Sequence, residues 1–149
     1  MNSQRDPIRS HARQTVAARR VGKDVRCKCG ETRPEALITG SKPVICAACQ
    51  RRKKGQTDID FHHIEGRKNS PLIAPVNVND HRAILTPAQF DWPKFATRNR
   101  NARELIEASQ SLWAVINYIE YLLNRLLRPR AEQLERLAQE VNHRGRNKK

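Results

Sequence analysis

The chain has 149 residues, 38% of them hydrophobic and 30% charged, and its 29 Lys and Arg outweigh 15 Asp and Glu to give a formal net charge of +14. This length fits one ordinary domain or two very small ones, and so polar a chain needs a further constraint, such as a bound metal, to hold a small core. The charge indicates a polyanionic partner, with nucleic acid first and an anionic membrane surface a distant second.

Secreted and membrane-spanning proteins are not expected from this sequence. The N-terminus is charged and lacks the apolar core of a signal peptide. Polar and charged residues interrupt the longest apolar region, Leu105 to Leu127, so this region does not predict a bilayer-spanning helix. We therefore expect a cytoplasmic protein in a reducing compartment.

Residues 1–24 begin the chain with five arginines, one lysine and few apolar side chains. This composition predicts a basic, flexible arm with a short helix from Ala12 to Arg20. The arm either contacts phosphate groups or is an ordinary disordered terminus, and the sequence favours neither.

Residues 25–54 hold all four cysteines, in CKCG at 27–30 and in CAAC at 46–49. Two β-prone runs around Thr39-Gly40-Ser41 predict a hairpin that brings the two pairs together. Four thiolates give the tetrahedral sulfur set that Zn²⁺ prefers, whereas disulfides need an oxidising compartment and a redox C-x-x-C motif needs a βαβ context. We therefore predict a structural zinc ribbon, whose ligands are Cys27, Cys29, Cys46 and Cys49.

Residues 55–98 contain the stretch DFHHIEGRKNSPLIAPVNVNDHR, which holds three of the five histidines. DIDFHHI alternates as a short strand does, which puts His62 and His63 on opposite faces. Turn residues follow in EGRKNSP, and LIAPV predicts a second strand at a sheet edge. NVNDHRAIL predicts a helix with Asn79 as its N-cap and His81 in its first turn. Two strands and a helix would place the histidines in one cleft.

Histidines gathered in one cleft suit the cleavage of phosphodiester bonds. Two imidazoles can hold a divalent ion that polarises the scissile phosphate and stabilises the leaving oxygen. A third, unligated imidazole can take the proton from an attacking water, provided that a hydrogen bond orients its other ring nitrogen. Adjacent histidines on a strand can divide these roles, because one faces the metal and the other faces the substrate.

The wording HHIEGRKNSP…NDHR, followed by LTPAQFDWP, resembles the HNH family of nucleases, whose ββα-metal fold carries a His pair, a middle Asn and a final His. It is also similar to small HNH-like proteins of bacteria and their mobile elements. The resemblance covers roughly residues 25–95, and the helical tail only weakly. Carried over by position, it implies that His62 and His81 hold the catalytic ion, that His63 is the general base, and that the chain hydrolyses DNA.

The sequence does not decide which asparagine is the middle motif residue, and its candidate metal ligands depart from the family pattern. Asn69 lies in the loop between the strands, where the family's Asn usually sits, so the resemblance favours it; Asn77 and Asn79 are alternatives. Many members carry a C-x-x-C directly before the last His, whereas this chain has Asn77 and Asp80 there. Both residues can bind a metal, and Mg²⁺, Mn²⁺, Ni²⁺ and Zn²⁺ all suit His and Asn ligands.

Seven basic residues in and near these motifs are candidate contacts to DNA phosphates. They are Arg51, Arg52, Lys53, Lys54, Arg67, Lys68 and Arg82.

Residues 99–149 predict helices followed by a basic tail. Apolar residues between Leu105 and Leu127 recur at three- and four-residue spacing, and a shorter helix follows Pro129, which is expected to break or kink the first. The apolar face is too broad for a lone surface helix. It either packs against the core or joins two copies as a homodimer, and membrane attachment is the least favoured use.

The sequence thus predicts an α+β fold with four parts. They are a basic flexible arm (1–24), a zinc-ribbon hairpin (25–54), an HNH-like ββα-metal motif (55–98) and a mostly α-helical C-terminal region with a basic tail (99–149). Two functions are compatible with it: a metal-dependent HNH endonuclease, and a non-catalytic zinc-ribbon DNA-binding protein with a degenerate HNH motif. Both predict salt-sensitive DNA binding, but only the first predicts cleavage that depends on His63. RNA as the target also stays open.

Overall fold

The structure is a computed structural model that describes residues 6–93 and 100–146. The fold is mixed α+β, as predicted, with one two-stranded antiparallel sheet and a majority of helix. In chain order the elements are α1 (Pro7–Val21), a 3₁₀ turn (Pro34–Ala36), α2 (Ala47–Lys53), β1 (Ile59–His63), β2 (Ile73–Asn77), α3 (Val78–Asp80), π-helical turns (His81–Leu85), α4 (Thr86–Ala88), a second 3₁₀ turn (Gln89–Asp91), α5 (Arg100–Tyr121), further π-helical turns (Leu122–Leu127) and α6 (Arg128–Arg146).

Helix α1 is longer than the short helix predicted within the arm. The side chain of Asp6 accepts a hydrogen bond from the backbone N–H of Arg9 at 2.9 Å, and Pro7 stands in the first turn, where its missing N–H costs nothing. Arg13 then pairs with Asp91 at 3.1 Å, which attaches the helix to the rest of the chain. Residues 7–21 are therefore an ordered part of the fold, while residues 1–5 of the predicted arm lie outside the described residues.

The predicted hairpin between the cysteine pairs is reduced to a single antiparallel bridge between Leu37 and Cys46. The turn is closed by Ser41, whose hydroxyl donates to the carbonyl of Ile38 at 2.8 Å and accepts from the N–H of Ile45 at 3.1 Å. Because this side chain takes hydrogen bonds that a strand ladder would use, the two β-prone runs do not extend into paired strands.

Two small cores hold the chain together. The first surrounds the cysteine segment and buries Leu37 and Ala48 together with Val78 of α3. The second lies between the sheet and the C-terminal helix and buries Val76, Leu85 and Tyr121. Because α3 contributes to the first core and the turns after it to the second, this short helical segment joins the cysteine segment to the long helix.

The two predicted strands form and pair antiparallel, with Ile59 opposite Asn77 and His63 opposite Ile73. Alternation along β1 buries His62, which is 2% exposed, while its neighbour Phe61 is 61% exposed. The opposite facing of His62 and His63 follows from the same period of two.

The cap of α3 differs from the prediction. Asn77, with extended backbone angles, is the N-cap, and its side chain accepts a hydrogen bond from the N–H of Asn79 at 2.9 Å. Asn79 lies inside the helix and is buried. The sequence VNVND has two asparagines that could cap the helix. Asn77 does so because the side chain of Asn79 is engaged with Ala48 and Glu31.

Pro129, predicted to break or kink the C-terminal helix, does not break it. Leu122–Leu127 is π-helical, with right-handed helical angles at both flanking residues, and α6 follows at once. A proline ring clashes with the carbonyl four residues before it, and wider π turns at that point remove the clash.

Ala114 and Tyr121 on one side of α5 are buried against the body of the chain. Among the described residues, the structure contains no helix that is both long and apolar enough to span a membrane.

Asp80 joins three parts of the chain at one buried carboxylate. It is 8% exposed, and its Oδ1 accepts hydrogen bonds from Arg33 at 2.7 Å and from Arg125 at 3.0 Å. Arg33 also forms an ion pair with Glu31 at 2.6 Å. Hydrogen bonds from the Arg33 side chain and from the N–H groups of residues 32 and 33 lower the pKa of Glu31 to about 2, although burial raises it. Asp80 thereby fixes the long helix relative to the cysteine segment.

We predict that Asp80→Asn lowers the free energy of unfolding by about 2–3 kcal/mol, because two partly buried guanidinium groups lose their shared charged acceptor. Glu104→Gln is the matched control, since its pair with Arg100 is exposed and is worth at most about 0.5 kcal/mol. Urea unfolding followed by circular dichroism, with zinc present, measures both variants. Similar small losses in the two would contradict the role of Asp80.

Candidate metal centres

Four thiols converge between the turn at residues 27–30 and the start of α2. Within residues 6–93 and 100–146 they are the one group of three or more His, Cys, Asp or Glu donors whose ligand atoms all lie within 4.8 Å of one another. The Sγ atoms of Cys29 and Cys46 are 3.6 Å apart, and a sulfur tetrahedron with Zn–S bonds of about 2.3 Å has an edge of about 3.8 Å. All four thiols are free. The predicted convergence is confirmed, and the cluster could hold a metal ion such as zinc.

Local backbone geometry explains why the thiols meet. The N–H of Gly30 donates to the carbonyl of Cys27 at 2.9 Å, and Gly30 has a φ of +94°, which a residue with a side chain rarely adopts. On the other side, Cys46 is the N-cap of α2, and its Sγ accepts a hydrogen bond from the N–H of Cys49 at 3.4 Å. A tight turn and a helix N-terminus therefore present two sulfurs each.

The electrostatics of the cluster suit a bound cation. Burial alone raises the pKa of the Cys27 thiol, but hydrogen bonds from the backbone N–H groups of Cys29 and Cys46 and from neighbouring thiols lower it to about 6. Burial and the adjacent thiols raise the pKa of Cys49 to about 12. Thiols this close cannot all ionise by themselves, and a divalent ion replaces their protons with compensating charge.

The second candidate centre lies between β1 and the residues that follow α3. Asp60 and His62 are two positions apart on β1 and so share a face. His81 comes directly after α3, and its Nδ1 is 2.7 Å from Oδ2 of Asp60. The rings of His62 and His81 meet edge to face, with centroids 5.2 Å apart.

The spacing of the two imidazoles fits ligands of one divalent ion. With metal–nitrogen bonds of about 2.1 Å and ring centres about 1.1 Å beyond the nitrogen, two imidazoles of a tetrahedral set have centroids about 5 Å apart. The bond to Asp60 leaves Nε2 of His81 for a metal, and a carboxylate on the other nitrogen is the usual support of a histidine ligand. Nδ1 of His62 is buried without a hydrogen-bond partner, a cost that a bound cation would remove.

The protonation states also suit a metal. Burial first, and then the nearby charges of His81 and His63, lower the pKa of His62 to about 4. His62 is therefore neutral at pH 7, which is the form that binds a metal. Burial alone raises the pKa of Asp60, but the hydrogen bond with His81 and the charge of Arg51 lower it below its usual value. A second contact holds the His62 ring, which stacks on Tyr118 of α5 with centroids 6.1 Å apart.

His63, predicted as the general base, lies on the other face of β1 and is partly exposed. Its Nδ1 is buried without a hydrogen-bond partner. The orienting hydrogen bond that the sequence interpretation requires on this nitrogen is thus not formed in the structure. The backbone around it is nevertheless fixed, because the carbonyl of His63 accepts a hydrogen bond from the N–H of Gly66 at 3.1 Å.

Asn69 closes the loop between the strands from within. Its Nδ2 donates to the carbonyl of Glu65 at 3.0 Å, and its N–H donates to the carbonyl of Gly66 at 3.0 Å. Gly66 has a φ of +86°, and a Cβ there would lie 2.9 Å from the Trp92 ring. Asn69 therefore shapes the loop that follows His63 and makes no contact with the histidine pair.

The other residues named as a middle asparagine or an extra ligand are engaged elsewhere. Asn77 caps α3. Asn79 accepts from the N–H of Ala48 at 2.9 Å through Oδ1 and donates to Glu31 at 3.2 Å through Nδ2. Asp80 is held by two arginines. In the described part of the chain, none of these three side chains forms a hydrogen bond with His62 or His81.

The seven predicted phosphate contacts divide into two groups. All but Arg51 are exposed, and four of them make none of the side-chain bonds within the chain described next, namely Lys53, Lys54, Arg67 and Lys68. The other three bind within the chain: Arg51 to the carbonyl of Ile59, Arg52 to Asp58 and Arg82 to the carbonyl of Glu35. Arg51 also lies 3.7 Å from Asp60, which places it beside the histidine pair.

Three residues at this site are absent from the sequence prediction: Asp60, Arg51 in its contact with Asp60, and Tyr118. The alternation that separates His62 from His63 also puts Asp60 beside His62, so the signal for Asp60 is present in the sequence. Tyr118 has no such signal, because only the packing of α5 brings it to β1. Comparison with known proteins adds no further assignment, since no family model, curated protein or solved structure matches the chain.

We predict that Cys46→Ser removes one equivalent of zinc per chain and lowers the free energy of unfolding by at least about 3 kcal/mol, because metal binding at a structural site contributes directly to folding. The exposed Lys28, between two cysteines of the same turn, gives the matched control Lys28→Ala, which should keep the wild-type metal content. Zinc is measured by atomic absorption after gel filtration. Wild-type zinc content in Cys46→Ser would contradict the assignment.

Proposed function

We propose that this chain is a metal-dependent endonuclease of the HNH type that hydrolyses phosphodiester bonds in DNA. The observation that carries the proposal is the pair of imidazoles from His62 and His81, spaced as two ligands of one ion, with a carboxylate on the second ring. The resemblance of the stretch around them to the HNH signature assigns the same two residues to the catalytic ion. Two independent lines of argument thus agree on the ligands.

Electrostatics support a nucleic acid as the substrate. The chain carries a net charge of +14, and exposed Arg67 and Lys68 lie in the loop that Asn69 closes, directly after His63 on the chain. Lys53 is the last residue of α2 and Lys54 follows it; both are exposed and lie directly before the loop that leads into β1. Positive charge on both sides of the histidine stretch suits a phosphate backbone running past it.

The roles of the residues follow from their surroundings. A divalent ion, when bound, supplies positive charge to the scissile phosphate and to the leaving oxygen. His62, whose lowered pKa keeps it neutral, and His81 would provide its nitrogen ligands, and the contact of Nδ1 with Asp60 leaves Nε2 of His81 for the ion. His63 takes the proton from the water that attacks phosphorus. The cysteine cluster, with four protein ligands and no open position, stabilises the fold instead of taking part in the reaction.

A second candidate function is a non-catalytic DNA-binding protein. The observation in its favour is the buried Nδ1 of His63, which has no partner to orient the ring. In that case the charge and the cysteine cluster serve binding alone, and the histidine pair holds a structural ion. Both functions predict DNA binding that weakens as salt is raised, so cleavage is the property that separates them.

We predict that the wild-type protein converts supercoiled plasmid to relaxed or linear DNA in Mg²⁺ or Mn²⁺, and that a chelator stops the reaction. His63→Ala should lower the cleavage rate by about 10²–10⁴, the usual contribution of a general base. It should shift the same DNA on a low-salt gel as the wild type does. His11→Ala, which removes an exposed histidine of α1, is the matched control and should cut normally.

Two outcomes would contradict the proposal. Wild-type protein that shifts DNA but leaves the plasmid intact with every divalent ion would favour the DNA-binding function. Cleavage that is equally fast in the wild type and in His63→Ala would show that a different group activates the water.

A further inference from the structure

The C-terminal helices expose more apolar surface than a monomer ordinarily does. Ten large aliphatic residues of α5, the π-helical turns after it and α6 are exposed, each to between 41% and 73%. Together they present on the order of 1,000 Å², whereas the largest patch on a typical monomer is about 300–600 Å². One side of a stable protein interface buries about 800 Å². The apolar stripe is therefore large enough to support association without other contacts.

Helix α6 is solvent-exposed over most of its length. Every side chain from Arg128 to Arg144 is exposed. A helix of 19 residues whose apolar side chains stay exposed is marginal in water, since most helical stability in proteins comes from packing of an apolar face. A partner that covers Leu134 and Val141 would supply the missing contacts.

The charge of this region indicates what kind of partner fits. Residues 100–146 contain eight Arg and six Glu and no other charged residues, so the region is close to neutral within a chain of net charge +14. A surface for nucleic acid or for an anionic membrane would concentrate Lys and Arg. A nearly neutral stripe with mixed charges beside it suits another amphipathic helix of the same kind.

Seven of the ten exposed aliphatic positions are symmetric about Leu123, whereas Ile116, Leu126 and Leu137 are matched by Arg130, Glu120 and Ser109. At four, eleven and eighteen residues on either side of it, both directions carry an aliphatic side chain. The matched pairs are Ile119 with Leu127, Leu112 with Leu134, and Leu105 with Val141. Successive members on each side are seven residues apart, which keeps them on one face of a helix. Because these heptad-spaced positions match in both directions, an antiparallel copy places aliphatic side chains opposite one another along most of the stripe.

We propose that two copies of this chain pack antiparallel along the stripe, with the two-fold axis at Leu123. In this homodimer α6 of each copy covers the exposed face of α5 of its partner, so the helix that is uncovered in one chain is buried in the pair. The interface is isologous, because each residue meets the residue equally far from Leu123 on the other side. The proposal is independent of nuclease activity.

Mass in solution tests the association. Wild-type protein, measured by light scattering after gel filtration at about 50 µM, is expected at twice the chain mass of 17.2 kDa. Leu134→Lys places an ammonium group on the stripe, opposite Leu112 of the other copy, and a loss of affinity of at least about 100-fold is expected. Gln139→Lys adds the same charge to the opposite side of α6 and should leave the dimer intact. Circular dichroism of each variant checks that its helices form.

A mixture of two variants tests the direction of packing. Leu112→Glu and Leu134→Lys are each expected to be monomeric. In the antiparallel pair residue 112 meets residue 134 of the other copy, so an equimolar mixture should form a heterodimer in which one interface site pairs Glu with Lys and its mate pairs Leu with Leu. In a parallel pair residue 112 meets residue 112, and mixing would restore nothing.

Three results would overturn the proposal. They are a wild-type protein that stays monomeric at 50 µM, a dimer that Leu134→Lys leaves unchanged, and two monomeric variants that fail to associate when mixed. A monomeric wild type that binds anionic vesicles or DNA, and loses this binding in Leu134→Lys, would give the stripe a different partner and would overturn it as well.

Discussion

The arrangement of both candidate centres depends on the polar contacts of two adjacent buried residues, Asn79 and Asp80. Asn79 accepts a hydrogen bond from the N–H of Ala48, at the start of the helix that carries Cys49, and donates to Glu31 beside the other cysteine pair. Asp80 binds arginines from the cysteine segment and from the C-terminal helix. His81 is the next residue of the chain, so these contacts hold it relative to the cysteine cluster. Buried polar groups with all partners present fix one arrangement and penalise others.

These contacts explain how the chain can place its cysteines upstream of the histidine stretch. The HNH nucleases that the histidine stretch resembles often carry two cysteines just before the last histidine, where this chain has Asn77 and Asp80. In place of thiolates on a shared metal, this segment offers a helix cap and a carboxylate that binds two guanidinium groups. The cysteine cluster stabilises a neighbouring segment, and hydrogen bonds transmit that rigidity to His81. Substitutions that disrupt the cysteine cluster are therefore expected to disturb the histidine site as well as the fold.

Much of the local structure could be predicted from sequence, because short-range patterns determine it. The period of two in DIDFHHI gives β1 and the burial of His62, and the paired cysteine spacings give the convergence of the thiols. Features set by distant contacts could not be predicted. The choice of Asn77 over Asn79 as the cap depends on Ala48 and Glu31, and the stacking of His62 on Tyr118 depends on how α5 packs. Pro129 does not end the helix, because the π turns before it accommodate the proline ring.

In the proposed function, His62 and His81 hold a divalent ion separate from any ion in the cysteine cluster. Anomalous diffraction from crystals grown with Mn²⁺, recorded on both sides of the manganese and zinc edges, tests it most directly. The account predicts a zinc peak among Cys27, Cys29, Cys46 and Cys49, and a manganese peak within about 2.3 Å of a ring nitrogen of each of the two histidines. A histidine pair without a metal peak, in crystals whose cysteine cluster is filled, would contradict it.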